Sequence, residues 1–190
     1  MLADKYKCPR PIVEQCQYNM FHREDMEKNL VPLFDDYGIG TTVWSPLDCG
    51  ILTGKYNNGI PEGSRLQDRV NVYNKYFGSD EVKKETLRKL NALADIAKEL
   101  EASLPQLAIA WTLYNNDTTL TILGATSVSQ LQENIKGLEI VKKFNGKIET
   151  RINEILGNLP VQDMDYRLNW FKRSRRKIYD DDEEEDIIIA

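Results

Sequence analysis

Residues 41–61 read TTVWSPLDCGILTGKYNNGIP, and Gly50, Gly54 and Lys55 among them are residue types of a phosphate-binding loop. Glycine lets a backbone wrap an anion closely, and lysine supplies the countercharge. A nucleoside-triphosphate loop requires four residues between its glycines and a Ser or Thr after the lysine to hold Mg²⁺. Here only Ile51, Leu52 and Thr53 intervene and Tyr56 follows, so the triphosphate reading fails on spacing. Metal and nucleophile chemistry are no better served. Cys8, Cys16 and Cys49 are irregularly spaced, which predicts neither a zinc site nor a disulfide framework. His22, the only histidine, stands in MFHRED, where a solvent-facing or helix-start role suits it better than catalysis. No G-x-S-x-G pattern offers it a nucleophile.

The elements that must position the loop follow from composition and periodicity. The chain has 190 residues, 41% hydrophobic and 29% charged, as expected of one soluble globular domain. A net charge of −5 argues against a general nucleic-acid binder. No apolar run reaches the roughly 20 residues of a membrane span, and the opening MLADKYKCPRP lacks a secretory apolar core, so a reduced cytoplasmic protein is expected.

Segment 11–18 (PIVEQCQY) and the β-branched 39–46 (IGTTVWSP) read as strands, as does 120–125 (LTILGA). Between the first two, 23–38 carries Met26, Leu30, Leu33 and Phe34 at helical spacing before Gly38, with Pro32 as an internal weakness. A long loop is expected after Pro46, to about Gly78. Ser79 then caps a helix to about Glu101 with Leu87, Leu90, Leu93, Ala94 and Ala97 on one face. Ser103 and Gln106 have capping-box spacing ahead of an apolar helix whose Trp111 reads as core with nothing polar around it. Ser127 and Gln130 repeat the spacing, and one more helix is expected near 147–156. The order β-α-β-loop-α-α-β-α-α predicts a parallel sheet with its ligand site at the carboxyl ends of the strands.

The motifs WSPLxxGxLTGKY, the Ser64-Arg65 pair, LPQLAIAW, and LGAT followed by Gln130, Glu133 and Asn134 together resemble the aldo-keto reductases. EQCQYNMF, LDCGILTGKYNNGIP and LGNLPxxxxDYR are similar, more narrowly, to the branch formed by the beta subunits of voltage-gated potassium channels. The resemblance runs from Pro11 to Arg167. It implies an α/β fold, a partial (β/α)8 TIM barrel corresponding to the last three βα units plus a C-terminal helix. Residues 1–167 would form that half-barrel and 168–190 a charged, disordered tail.

The resemblance also implies one wall of an NADPH/NADP site. Gln15 would hydrogen-bond the nicotinamide carboxamide, and Trp44 would stack on the ring. Ser45, Pro46, Leu47 and Cys49 would wrap the pyrophosphate, with Lys55 and Arg65 neutralising its charge. Gly124 and Thr126 would lead the 2′-phosphate to a helix N-terminus. Gln130, Glu133 and Asn134 would reach the adenosine. Taken from the residues alone, Trp44 is equally a packing residue, and Lys55 and Arg65 are more often solvated charges.

None of the positions matches the family's catalytic tetrad, so no catalytic residue carries over, and this chain alone is expected to be a poor carbonyl reductase. Implied partners are the cytoplasmic domain of a potassium channel, a chain supplying the other half-barrel, or a second copy. The alternative function is a non-catalytic scaffold. Three parallel strands would leave two open edges, so the isolated chain is not expected to be a stable monomer. The tail joins a basic cluster (Lys172, Arg173, Arg175, Arg176, Lys177) to an acidic run at 180–186, which reads as self-compensating.

Overall fold

The computed structural model describes residues 2–161, so the tail lies outside the described residues. The chain opens on a short helix, α1 (Leu2–Tyr6), and three strands form one parallel sheet in chain order: β1 (Val13–Glu14), β2 (Gly40–Val43) and β3 (Leu120–Thr121). Val13 is paired with Gly40, and Thr42 with Leu120. The parallel sheet is as expected, but each strand is shorter than its β-prone segment.

Side chains supply the reason at β3. The Thr119 hydroxyl accepts from the Thr41 N–H (3.1 Å), while the Thr41 hydroxyl accepts from the Thr119 N–H (3.1 Å) and donates to the Asp117 carbonyl. These threonines take over what would otherwise be ladder bonds, so regular pairing starts only at Leu120. Beyond β1, pairing resumes in isolation where Gln17 meets Trp44.

The helical segment expected at 23–38 is two elements. A π-turn (Asp25–Asn29) gives way at Leu30 to α2 (Val31–Tyr37), with Pro32 in its first turn. Proline has no N–H to extend a preceding ladder but is tolerated at a helix start, so the chain restarts there. The expected long loop is also more ordered than its composition suggested. It contains 3₁₀ segments at Asp48–Thr53 and Arg65–Asp68, then α3 (Val70–Phe77). Tyr76 and Phe77 of α3 are buried, and Val72 and Tyr73 pack beside the core. That aromatic stripe, one turn apart, was the available helical signal.

Ser79 caps α4 (Asp80–Glu99), which buries Leu90, Leu93, Ile96 and Ala97. The next helix, α5 (Leu104–Tyr114), is buried on nearly every side and forms the centre of the core. Then come α6 (Val128–Ile135), α7 (Gly137–Val141) and α8 (Gly146–Leu156). Gly137 permits close packing of α7 on α5: a Cβ there would lie 3.0 Å from Ile109 Cγ2. Asn145 caps α8, which buries Ile148, Ile152 and Leu156 at successive turns. This three-strand parallel sheet with its helices is a partial (β/α) barrel.

Trp111 is fully buried, as expected, but its surroundings are not wholly apolar. The Arg23 guanidinium lies 5.2 Å from its ring centroid. Arg23 donates from Nη2 to Glu27 Oε2 (2.7 Å), from Nε to both Glu27 oxygens, and from Nη1 to Asn153 Oδ1 (2.8 Å). Tyr18 donates its hydroxyl to Glu27 Oε1 (2.6 Å) and accepts from Asn115 Nδ2 (3.0 Å). Both charged side chains are nearly inaccessible, at 1% and 6% exposure. Removing one partner from such a pair leaves an uncompensated buried charge, a loss of about 3–5 kcal/mol.

Two stability experiments follow from this packing. Arg23→Met should markedly lower the urea midpoint, whereas Arg23→Met/Glu27→Leu should recover much of the loss, because no lone charge is left behind. Burial pushes the Asp117 carboxyl from its ordinary value of 3.8 up to about 6. The folded chain therefore binds that proton more tightly than the unfolded chain does, and the associated stability is complete below the ordinary value and lost as pH rises through about 6. Thermal melts should show the wild type losing ground to Asp117→Asn over that window, and parallel curves would refute the assignment.

Candidate functional site

The carboxyl end of β2 passes directly into a turn with unusual backbone. Ser45 has φ 57°, and Asp48, Cys49 and Gly50 follow one another at 44°, 55° and 97°. For non-glycine residues each such conformation costs of order 1–2 kcal/mol, so the surroundings must impose it. Asn19 Nδ2 donates to the Ser45 carbonyl (3.0 Å), fixing the start of the turn to the exit of the first strand segment. Inside it, Asp48 N–H bonds Ser45 O (3.0 Å) and Gly50 N–H bonds Leu47 O (2.9 Å). At Gly50 a Cβ would lie 3.0 Å from Lys55 Cε and 3.2 Å from the Tyr56 ring, so a side chain there would displace the lysine.

Asp48 is 5% exposed and accepts a hydrogen bond from the Tyr76 hydroxyl. Burial raises its carboxyl above the usual range, opposed by the Tyr76 bond and by Lys75 and His22. Burial, reinforced by the Asp48 charge, raises the Tyr76 hydroxyl in turn. These two residues lie 28 apart in sequence, and no local pattern marks them as partners.

The turn forms one wall of a cleft of about 910 Å³. Trp44, Ser45, Pro46, Leu47 and Cys49 line that wall. Lys55 and Arg65 line a second, together with Glu62, Gly63 and Ser64. Gly124, Thr126, Gln130, Glu133 and Asn134 line the third, at the exit of β3 and the start of α6. All the residues singled out in the sequence, apart from Gln15, thus converge on one cavity. Gln15 is exposed and lies outside the lining, just past β1, while Gln17 makes the pairing with Trp44. Gly50, Glu62, Ser64 and Ile122 also line the cleft, although the resemblance gave them no contact with the dinucleotide.

The third wall is positioned by its own caps. Ser127 Oγ accepts from the Gln130 N–H (3.2 Å), and Gln130 Oε1 accepts from both the N–H and the hydroxyl of Thr126 (3.0 Å each). From behind, Gln106 Oε1 accepts from the Ser103 N–H (3.0 Å) while its Nε2 donates to the Glu133 carbonyl (3.1 Å). The capping residue of the central helix therefore also anchors the helix that borders the cleft.

The residues suit a long ligand with an aromatic end and an anionic middle. Trp44 is 41% exposed, leaving part of the indole accessible to a stacking ring. The Lys55 ammonium and Arg65 guanidinium are both exposed on the second wall, with Lys55 Nζ 4.9 Å above the Tyr56 ring. Ser64 Oγ is shielded from solvent and has no hydrogen-bond partner among the described residues. The volume lies near the upper end for small-molecule sites, as a dinucleotide requires. The donor set and the size of the cleft both fit such a ligand.

In a parallel α/β sheet, a cleft at the strand exits is where such folds bind ligands. The sequence profile of the Aldo/keto reductase family matches residues 2–156, and the chain belongs to that family. Its relatives include proteins provisionally named as voltage-gated potassium channel beta subunits. One from Schizosaccharomyces pombe is 44% identical over 85% of this chain and 46% of its own length. Those of Arabidopsis thaliana and Oryza sativa are 41% and 40% identical, each over 87% of this chain and 50% of its own length. The chain spans about half the length of the curated relatives it matches. Among the described residues, no helix is long and apolar enough to cross a membrane.

Proposed function

We propose that the cleft is one wall of an NADPH/NADP site in a protein of the potassium channel beta-subunit type. One observation carries this reading: residues from three separated segments, assigned roles along a dinucleotide, line a single cavity. Trp44 would stack on the nicotinamide, the turn at 45–50 would border the pyrophosphate, and Lys55 and Arg65 would balance its charge. The N-terminal turn of α6 would receive the adenosine end. The dinucleotide, when bound, supplies hydride. The chain's own contribution is to hold it, orient the ring and shield one of its faces. A proton donor for carbonyl reduction would come from the remainder of a complete barrel, because no position here matches the family's tetrad. General acid catalysis contributes about 10²–10⁴-fold, so this chain by itself should reduce carbonyls poorly.

Titrating NADPH into the full chain while following tryptophan fluorescence tests the cofactor site. Saturable quenching is expected, with a smaller amplitude in Trp44→Ala. Arg65→Ala removes a charge-assisted contact of about 1.5–3 kcal/mol and should weaken binding roughly ten- to a hundredfold. A wild type that shows no quenching would remove the cofactor claim.

The names of the relatives support a second element of the reading, attachment to the cytoplasmic domain of a voltage-gated potassium channel. Immobilised chain should retain such a domain at physiological salt. Failure to retain it would discard the channel role while leaving the cofactor site standing.

A further inference from the structure

The turn at 45–50 is gripped from outside the cleft that it lines. Asp48 is absent from the cleft lining, whereas its neighbours Cys49 and Gly50 are part of it. Its carboxylate points into the protein and accepts from the Tyr76 hydroxyl, on α3. Tyr76 is itself buried, with its ring centroid 5.3 Å from that of Phe21. The charges of Lys75 and His22 also favour the ionised carboxylate. The turn's own backbone bonds close it on itself. Among the described residues, two side-chain bonds tie it to other elements: Asn19 to Ser45 O at its start, and Tyr76 to Asp48, the first of three successive left-handed residues.

We propose that Asp48 and Tyr76 are positioning residues whose buried hydrogen bond pins the turn in its left-handed course and so presents Cys49 and Gly50 to the dinucleotide. The consequence for binding rests on the cofactor reading above, but the positioning role does not. Left-handed Asp48 and Cys49 persist only if something opposes their relaxation toward ordinary backbone. An aromatic hydroxyl held by a packed helix does so without occupying ligand space. Helix α3 thereby acts on the cleft through the carboxylate, although Tyr76 does not line it.

Tyr76→Phe in the full chain tests this, because the ring stays and only the hydroxyl is lost. Amide hydrogen exchange in residues 45–52 should accelerate about tenfold, with exchange in the core of α5 unchanged. NADPH affinity should fall by a comparable factor. Asp48→Asn, whose amide oxygen still accepts from Tyr76, should behave as wild type. Tyr76→Phe/Asp48→Ala should recover the melting temperature, since no carboxylate is left buried without its donor, but should recover neither exchange protection nor affinity. Unchanged exchange at 45–52 in Tyr76→Phe overturns the proposal, as does a double variant that regains protection along with its melting temperature. If wild type binds no NADPH, the cofactor reading fails, and the exchange measurement still decides the positioning role.

Discussion

The buried ion pair between Arg23 and Glu27 organises this fold. Desolvating two charges is expensive, and the structure offsets that cost by saturating both groups. Glu27 takes three bonds from Arg23 and one from Tyr18, and Arg23 reaches Asn153 while lying over the face of Trp111. Such a network adds little stability over an apolar replacement, but losing any one member leaves a buried polar group without its partner. Its members come from the first strand exit, the π-turn, α5 and α8. Those elements must assemble together or leave a charge stranded.

The cleft inherits its geometry from that network. Tyr18 is held by Glu27 and Asn115, and Asn158 Nδ2 donates to the Met20 carbonyl (2.9 Å), so the stretch between them is fixed at both ends. Asn19, inside that stretch, holds Ser45 at the start of the strained turn. On the opposite side, Gln106 holds Glu133 at the cleft's third wall. The parallel pairing of β2 with β3 brings the two exits side by side, although they are separated by some eighty residues of chain. A rigid scaffold thus sets two walls whose ligand-facing atoms lie in loops.

The sheet has two outer edges, and its apolar surface is not fully covered. Ile12 is 80% exposed beside β1, Leu120 of β3 is half exposed, and Val128, Leu131, Ile135 and Leu138 form an exposed stripe along α6 and α7. A closed barrel would pair such edges and bury such a stripe. The chain's relatives are about twice the length that it matches, which agrees with a partial barrel.

Much of the fold was legible in the sequence because it is locally encoded. The β-prone segments and the capping residues Ser79, Ser103 and Ser127 follow from side-chain chemistry within a few neighbours, and the parallel direction of the sheet follows from the order of strands and helices. The glycine-spaced loop and the LGAT segment marked the cleft because their residue types suit anions and their order matches a family. Local pattern misled where a side chain's partner lies far away in sequence. Asn-rich 70–77 became a helix because Tyr76 and Phe77 found a core. The contacts of Arg23 with Asn153 and of Tyr76 with Asp48 could be decided only by tertiary structure. Propensity acts over a turn of helix or a pair of residues, whereas a buried polar atom takes whichever partner folding brings within reach.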